Sequence, residues 1–155
     1  MPSLALYKPE IPPNTGNIAR LCAATQTDLH VVGQPAFHLD DRAAKRAGLD
    51  YWPHVKLKRH PDLDELRAAL SPECRILFFS ARRDFASCFD WQFRDDDCLC
   101  FGPESCGFAK EFLETNKEFV LRIPMISESV RSLNLANAAA IALYEALRQL
   151  NRLPL

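Results

Sequence analysis

The apolar positions of this chain fall into short blocks of two kinds that alternate. Leu4 to Tyr7, Leu29 to Val32, Ile76 to Phe79, Leu99 to Phe101 and Phe119 to Ile123 are near-continuous apolar runs of strand length. Gly33, Gly102 and Pro124 end three of them. Val55-Lys-Leu-Lys58 alternates, as a half-exposed strand does. Between the runs lie stretches with helical spacing. Asn17 to Thr25 places Ile18, Leu21, Cys22 and Thr25 on one face, and Asp62 to Leu70 does the same with Leu63, Leu66 and Leu70. Asp40 to Ala47 (stopped by Gly48), Ala109 to Thr115 and the Ala-rich Leu135 to Leu150 complete the predicted helices. Lys8 to Asn14 holds three prolines and is expected to be a loop. Arg82 to Asp97 is polar and expected to be irregular. Buried strands separated by helices predict an α/β fold, with a mostly parallel sheet flanked by helices.

Composition bounds this picture. With 155 residues, 48% hydrophobic and 25% charged, the chain is expected to form one domain over 1–155 of ordinary soluble type. Ser3 to Tyr7 is too short for a secretory signal, and no run approaches a membrane span. A cytoplasmic protein with no membrane partner and six reduced cysteines is therefore expected. The last helix carries Leu135, Ala138, Ala139, Ala142, Leu143, Ala146, Leu147 and Leu150, with Ile141 and Tyr144 besides. That is more than the single stripe a surface helix needs, which suggests a homodimer.

The formal net charge is only −1, but charge is segregated. Arg42, Lys45, Arg46, Lys56, Lys58 and Arg59 stand against one acid, Asp50, whereas Asp84, Asp90, Asp95, Asp96 and Asp97 stand against one base, Arg94. A local basic face suits a polyanion bound in one orientation, although two ordinary solvated surfaces would read the same way. Several chemistries lack their pattern. No Gly-x-Gly-x-x-Gly is present, and Phe108 stands where a phosphate loop beginning at Gly102 needs Lys. Cys98-x-Cys100 has no second ligand pair, so no metal is expected.

The candidate chemistry gathers where strands end and helices begin. Gly102 and Gly107 flank Glu104 after one strand, and Ser132 and Asn134 precede the last helix. In open α/β sheets, ligands bind at such carboxyl ends. Asn14-Thr-Gly-Asn17 leads into a helix carrying Arg20, expected near its start, where an Arg fork and free N–H groups would suit a phosphate. Each of these polar residues is also an ordinary turn or cap type.

Taken together, Asn14-x-Gly-Asn-x-x-Arg20, Phe101-Gly-Pro-Glu-x-x-Gly107 and Arg131-Ser-Leu-Asn-Leu-x-Asn137 resemble the three motifs of the SPOUT superfamily of knotted RNA methyltransferases. With Leu6-Tyr-Lys-Pro-Glu-Ile-Pro-Pro13, Ala47-Gly-Leu-Asp-Tyr51 and Ile123-Pro-Met125, the chain resembles the smallest branch, which lacks an added RNA-binding domain. The resemblance implies a C-terminal deep trefoil knot. It implies S-adenosylmethionine as cofactor, contacted by Phe79, Gly102, Ile123, Ser132 and Leu133. The implied reaction is 2′-O-methylation of the tRNA wobble nucleotide, cytidine or uridine 34. Arg20 would be the activating residue, with Asn14, Glu104, Ser132 and Asn134 positioning it and the ribose. The six basic residues would hold the RNA, across a homodimer. Three other readings remain: methylation at another tRNA or rRNA position, a non-catalytic RNA-binding protein of this fold, and a doubly wound redox or nucleotide-binding domain.

Overall fold

The computed structural model describes residues 1–38 and 50–154. The predicted helix Asp40 to Ala47, and with it Arg42, Lys45 and Arg46, lies outside the described residues.

Among the described residues seven strands form one sheet: β1 (Ser3–Tyr7), β2 (Leu29–Val32), β3 (Leu57–His60), β4 (Ile76–Phe79), β5 (Ala86–Ser87), β6 (Cys98–Phe101) and β7 (Val120–Arg122). Their order is β3-β2-β1-β6-β4-β7-β5, and every neighbouring pair is parallel. Four α-helices are described: α1 (Pro12–Thr25), α2 (Leu63–Ala69), α3 (Lys110–Thr115) and α4 (Leu135–Gln149).

The near-continuous apolar strands have a simple cause. A sheet covered on both faces buries both sets of alternating side chains, so neither set is polar. Register puts Leu4 beside Leu29 and Leu99, and Leu77 beside Leu99. These leucines, with Leu6 and Leu121, meet Ile18 and Cys22 of α1 and Leu143 and Leu147 of α4 in one core. The alternate positions Ala5, Phe78, Cys98, Cys100 and Val120 form a second core with Leu66 of α2 and Leu113 of α3. All six cysteines are free thiols. Burial pushes the Cys98 thiol up to about 12, which keeps it protonated and inert.

The elements depart from the sequence reading in three places. Helix α1 begins at Pro12, not at Asn17, with both prolines in its first turn. Those positions need no N–H partner, and the fixed proline φ suits them, so a Pro pair that reads as a breaker is here a helix start. Arg20 therefore sits in the third turn, beyond the reach of the helix N-terminus. Strand β3 begins two residues after Val55, which instead closes a 3-10 turn at Trp52–His54. The polar stretch after Arg82 contains β5, whose Ala86 and Ser87 pair with Leu121 and Arg122 of β7.

Of the acidic stretch, Asp84, Asp90 and Asp95 are exposed and Asp96 is half-buried. Asp97 is fully buried and takes a two-pronged grip from Arg75 at 2.8 and 2.7 Å. Asp84 pairs with Arg82, and Asp95 with Arg152. No described helix is long and apolar enough to cross a membrane.

Candidate active site

Strands β6 and β4 deliver Phe101 and Phe79 at their carboxyl ends, and the two rings stack with centroids 4.7 Å apart. Ile123 follows β7 directly, and Ser132 and Leu133 precede α4. Together they surround a cavity of about 550 Å³ at the carboxyl edge of the sheet. The loop after β6 folds back hard on itself. A Cβ added to Gly102 would lie 2.8 Å from the Gly107 carbonyl carbon and 2.9 Å from the Phe108 nitrogen. Only a residue without a side chain fits there. Gly107 reverses the chain at φ +63°, and its N–H reaches the Pro103 carbonyl at 2.8 Å.

A chain of hydrogen bonds ties three distant segments around this cavity. The Glu104 carboxylate accepts the backbone N–H groups of Glu10 at 2.8 Å and Ile11 at 3.1 Å. Ile11 is the N-cap of α1 and has no side chain able to cap it, so Glu104 supplies the negative group that a helix start favours. Glu10 answers in the other direction, its carboxylate accepting the Ser105 N–H at 2.8 Å and the Ser105 hydroxyl at 2.9 Å. Asn14, nearly buried in the first turn of α1, donates from Nδ2 to Glu104 at 3.3 Å. Its Oδ1 accepts from Asn134 Nδ2 at 2.9 Å. Asn134 Oδ1 in turn caps α4, accepting the Ala136 and Asn137 N–H groups. Arg131 closes the ring by donating to the Ser105 carbonyl at 2.9 Å.

Eight sequence candidates therefore line one cavity: Asn14, Phe79, Gly102, Glu104, Ile123, Ser132, Leu133 and Asn134. Arg20 does not line it. Six residues beyond Asn14, it stands about 9 Å further along the helix axis and about 120° around it. It is exposed, and its guanidinium lies 4.7 Å over the Tyr51 ring. Lys56, Lys58 and Arg59 are exposed on and before β3, at the far edge of the sheet. Lys58 pairs with Asp28 at 2.7 Å, at the end of the sheet away from the cavity.

Sequence reasoning did not single out Glu10, Ser105, Arg131 or Tyr51. Each sits inside a quoted motif, but the partner that gives it meaning lies 26 to 95 residues away for the bonded pairs. Among the described residues no group of three or more His, Cys, Asp or Glu could hold a metal ion.

A parallel sheet flanked by helices, with its candidate site at the carboxyl edge, places this chain in the α/β fold of the SPOUT methyltransferases. The model of the SpoU rRNA methylase family matches residues 1–144, and the chain belongs to that family. It is 46% identical over 151 residues to a tRNA (cytidine(34)-2′-O)-methyltransferase of Aeromonas hydrophila, covering 97% of this chain and 95% of the relative. A solved structure giving insights into the 2-OH methylation of C/U34 on tRNA superposes with a TM-score of 0.87, at 48% identity and 97% coverage of both chains. The SpoU methyltransferase AviRb from Streptomyces viridochromogenes, in complex with AdoMet, superposes with a TM-score of 0.79 at 28% identity, covering 97% of this chain and 58% of that one.

Proposed function

We propose that the chain is an S-adenosylmethionine-dependent methyltransferase of the ribose 2′-oxygen at the tRNA wobble nucleotide, cytidine or uridine 34. The observation that carries this reading is the meeting of eight candidate residues on one cavity, with Asn14, Glu104 and Asn134 joined in a single hydrogen-bonded chain. The cavity fits the cofactor. Its volume lies within the range of small-molecule sites, roughly 300 to 1,000 Å³. Its walls combine aromatic and aliphatic side chains with polar ones such as Asn14, Glu104 and Ser132, and Gly102 leaves the backbone open to close approach. Phe79, Gly102, Ile123, Ser132 and Leu133 would hold the cofactor, which supplies an electrophilic sulfonium methyl and needs no metal to activate it.

The protein's remaining task is to bring a ribose hydroxyl in line and remove its proton, for which general-base help contributes ~100- to 10,000-fold. A guanidinium stays cationic in proteins. Arg20 therefore acts by orienting an RNA phosphate, whose oxygen takes the 2′-hydroxyl proton. Asn14, Glu104, Ser132 and Asn134 hold the loops that frame the ribose. Arg20 stands off the cavity of its own chain, so the nucleotide must span the two, or a partner chain must bring them together.

The working unit is a cytoplasmic homodimer in this reading, knotted at its C-terminal end as the family resemblance implies. Helix α4 buries Ala139, Ala142, Leu143, Ala146 and Leu147 but leaves Ile141 and Tyr144, one turn apart, exposed to water. The basic residues Arg42, Lys45, Arg46, Lys56, Lys58 and Arg59 of one chain would then grip RNA lying at the other's cavity.

The test is a map of 2′-O-methyl marks in tRNA from cells with and without the gene. The mark at nucleotide 34 is expected to vanish and to return with the purified protein and cofactor. An unchanged nucleotide 34 with a lost rRNA mark would refute the tRNA assignment.

A further inference from the structure

We infer that Tyr51 is a positioning residue that holds Arg20 in its working orientation. The inference rests on the methyl-transfer reading above and extends it to a residue outside the cavity. Tyr51 lies within the basic stretch, between Arg46 and Lys56 in the chain, and precedes the 3-10 turn at Trp52–His54, and its ring packs partly into the core shared by α1 and α4. Its hydroxyl donates to the Gly16 carbonyl at 3.0 Å. In a regular helix that same carbonyl receives the Arg20 N–H, four residues on. The ring is thus pinned one turn below Arg20.

Helical side chains lean toward the N-terminus, so the Arg20 side chain covers the turn that contains Gly16. There its guanidinium meets the Tyr51 ring at 4.7 Å. No described carboxylate forms an ion pair with Arg20. The ring therefore orients the guanidinium without neutralising it, and the edge of the fork stays free for a phosphate. A carboxylate in the same place would orient Arg20 equally well but would compete with the phosphate. Gly16 contributes space: a Cβ there would be 3.9 Å from the Tyr51 hydroxyl, ordinary contact, but a longer side chain would press on the ring.

The test compares Tyr51→Phe, which keeps the ring and loses the anchor, with Tyr51→Leu, which keeps apolar bulk and loses the ring. Two readouts are needed. The first is single-turnover methyl transfer to tRNA at saturating cofactor, with cofactor affinity by calorimetry and thermal unfolding as controls. Tyr51→Leu is expected to slow transfer by about 10-fold, and Tyr51→Phe by no more than about 3-fold, with cofactor affinity unchanged in both. The second readout needs no activity. The Arg20 Nε–H resonance, assigned by its loss in Arg20→Lys, should carry a ring-current shift that Tyr51→Phe keeps and Tyr51→Leu abolishes. Wild-type transfer rates in a folded Tyr51→Leu, or an Arg20 resonance indifferent to the ring, would overturn the inference. An inactive wild type with the ring-current shift intact would overturn the methyl-transfer reading instead, leaving the pairing of the two residues established.

Discussion

Replacing Asn14 by Asp tests the hydrogen-bonded chain at its centre. The substitution is nearly isosteric and preserves an oxygen to accept from Asn134. What changes is the atom facing Glu104, where a donor at 3.3 Å becomes a second carboxylate oxygen. Two unit charges at that distance repel by about 5 kcal/mol at an effective dielectric of 20, and by about 1.3 kcal/mol in water. Asn14 is only 6% exposed, so the true value lies nearer the first figure. The protein can escape by letting the pair share a proton. At pH 7 that costs about 4 kcal/mol for a carboxyl group of ordinary pKa near 4, which caps the penalty. Asn14→Asp is therefore expected to destabilise by about 3 to 4 kcal/mol at pH 7. Asn14→Ala only removes hydrogen bonds and should cost about 1 to 2 kcal/mol. The pH dependence separates the two. In Asn14→Asp the folded pair has a raised pKa and binds more protons than the unfolded chain between about pH 4 and 7. Its stability relative to wild type therefore recovers as pH falls, whereas the Asn14→Ala deficit stays flat. Urea unfolding of all three proteins at pH 5, 6 and 7 measures this directly. Equal losses for the two variants at pH 7, or an Asn14→Asp deficit that does not shrink by pH 5, would refute the account of the Glu104 contact.

Two further outcomes follow from the same geometry. Gly102→Ala forces a Cβ to within 2.8 Å of backbone in the Gly107 turn, so the loop must shift; cofactor affinity is expected to fall by about 10-fold or more in calorimetry, and wild-type affinity would show that the cavity does not use this turn. His30 and His60 are buried with their ring nitrogens 2.9 Å apart, and burial, followed by the charge of His60, lowers the His30 pKa to about 4. The unfolded chain, with its His pKa near 6.5, then binds more protons, so this pair's contribution is present above about pH 6.5 and is lost as pH falls toward 4. Replacing both histidines with Phe and Leu should flatten the stability profile in that window, and an unchanged slope would place its origin elsewhere.

Much of the fold was readable in the chain because local chemistry and tertiary role agreed. Ile76 to Phe79 and Cys98 to Phe101 are apolar throughout because both faces of the sheet are covered, and Gly102 marks a backbone contact that no side chain could share. Asp62 announces α2 with a side-chain cap that lies within three residues of its target. The three motifs likewise marked the cavity, because its lining residues sit at the ends of elements whose periodicity is strong.

What the chain could not announce depends on partners far along it. The Pro12-Pro13 pair reads as a breaker until Glu104, more than 90 residues away, covers the start of α1. The two-residue β5 has no propensity of its own and exists because β7 offers it an edge. The acidic stretch reads as a solvated face, which it largely is, but the chain could not announce that Arg75 and Arg152 reach two of its members from 22 and 57 residues away. Arg20 looked like a residue of the helix start, and only the arrival of Tyr51 at Gly16 shows what holds it. Periodicity and turn chemistry act over a few residues, so a sequence displays them. A hydrogen bond or ion pair depends on distances of about 3 Å, and for residues a hundred positions apart only the packing of the sheet sets those distances.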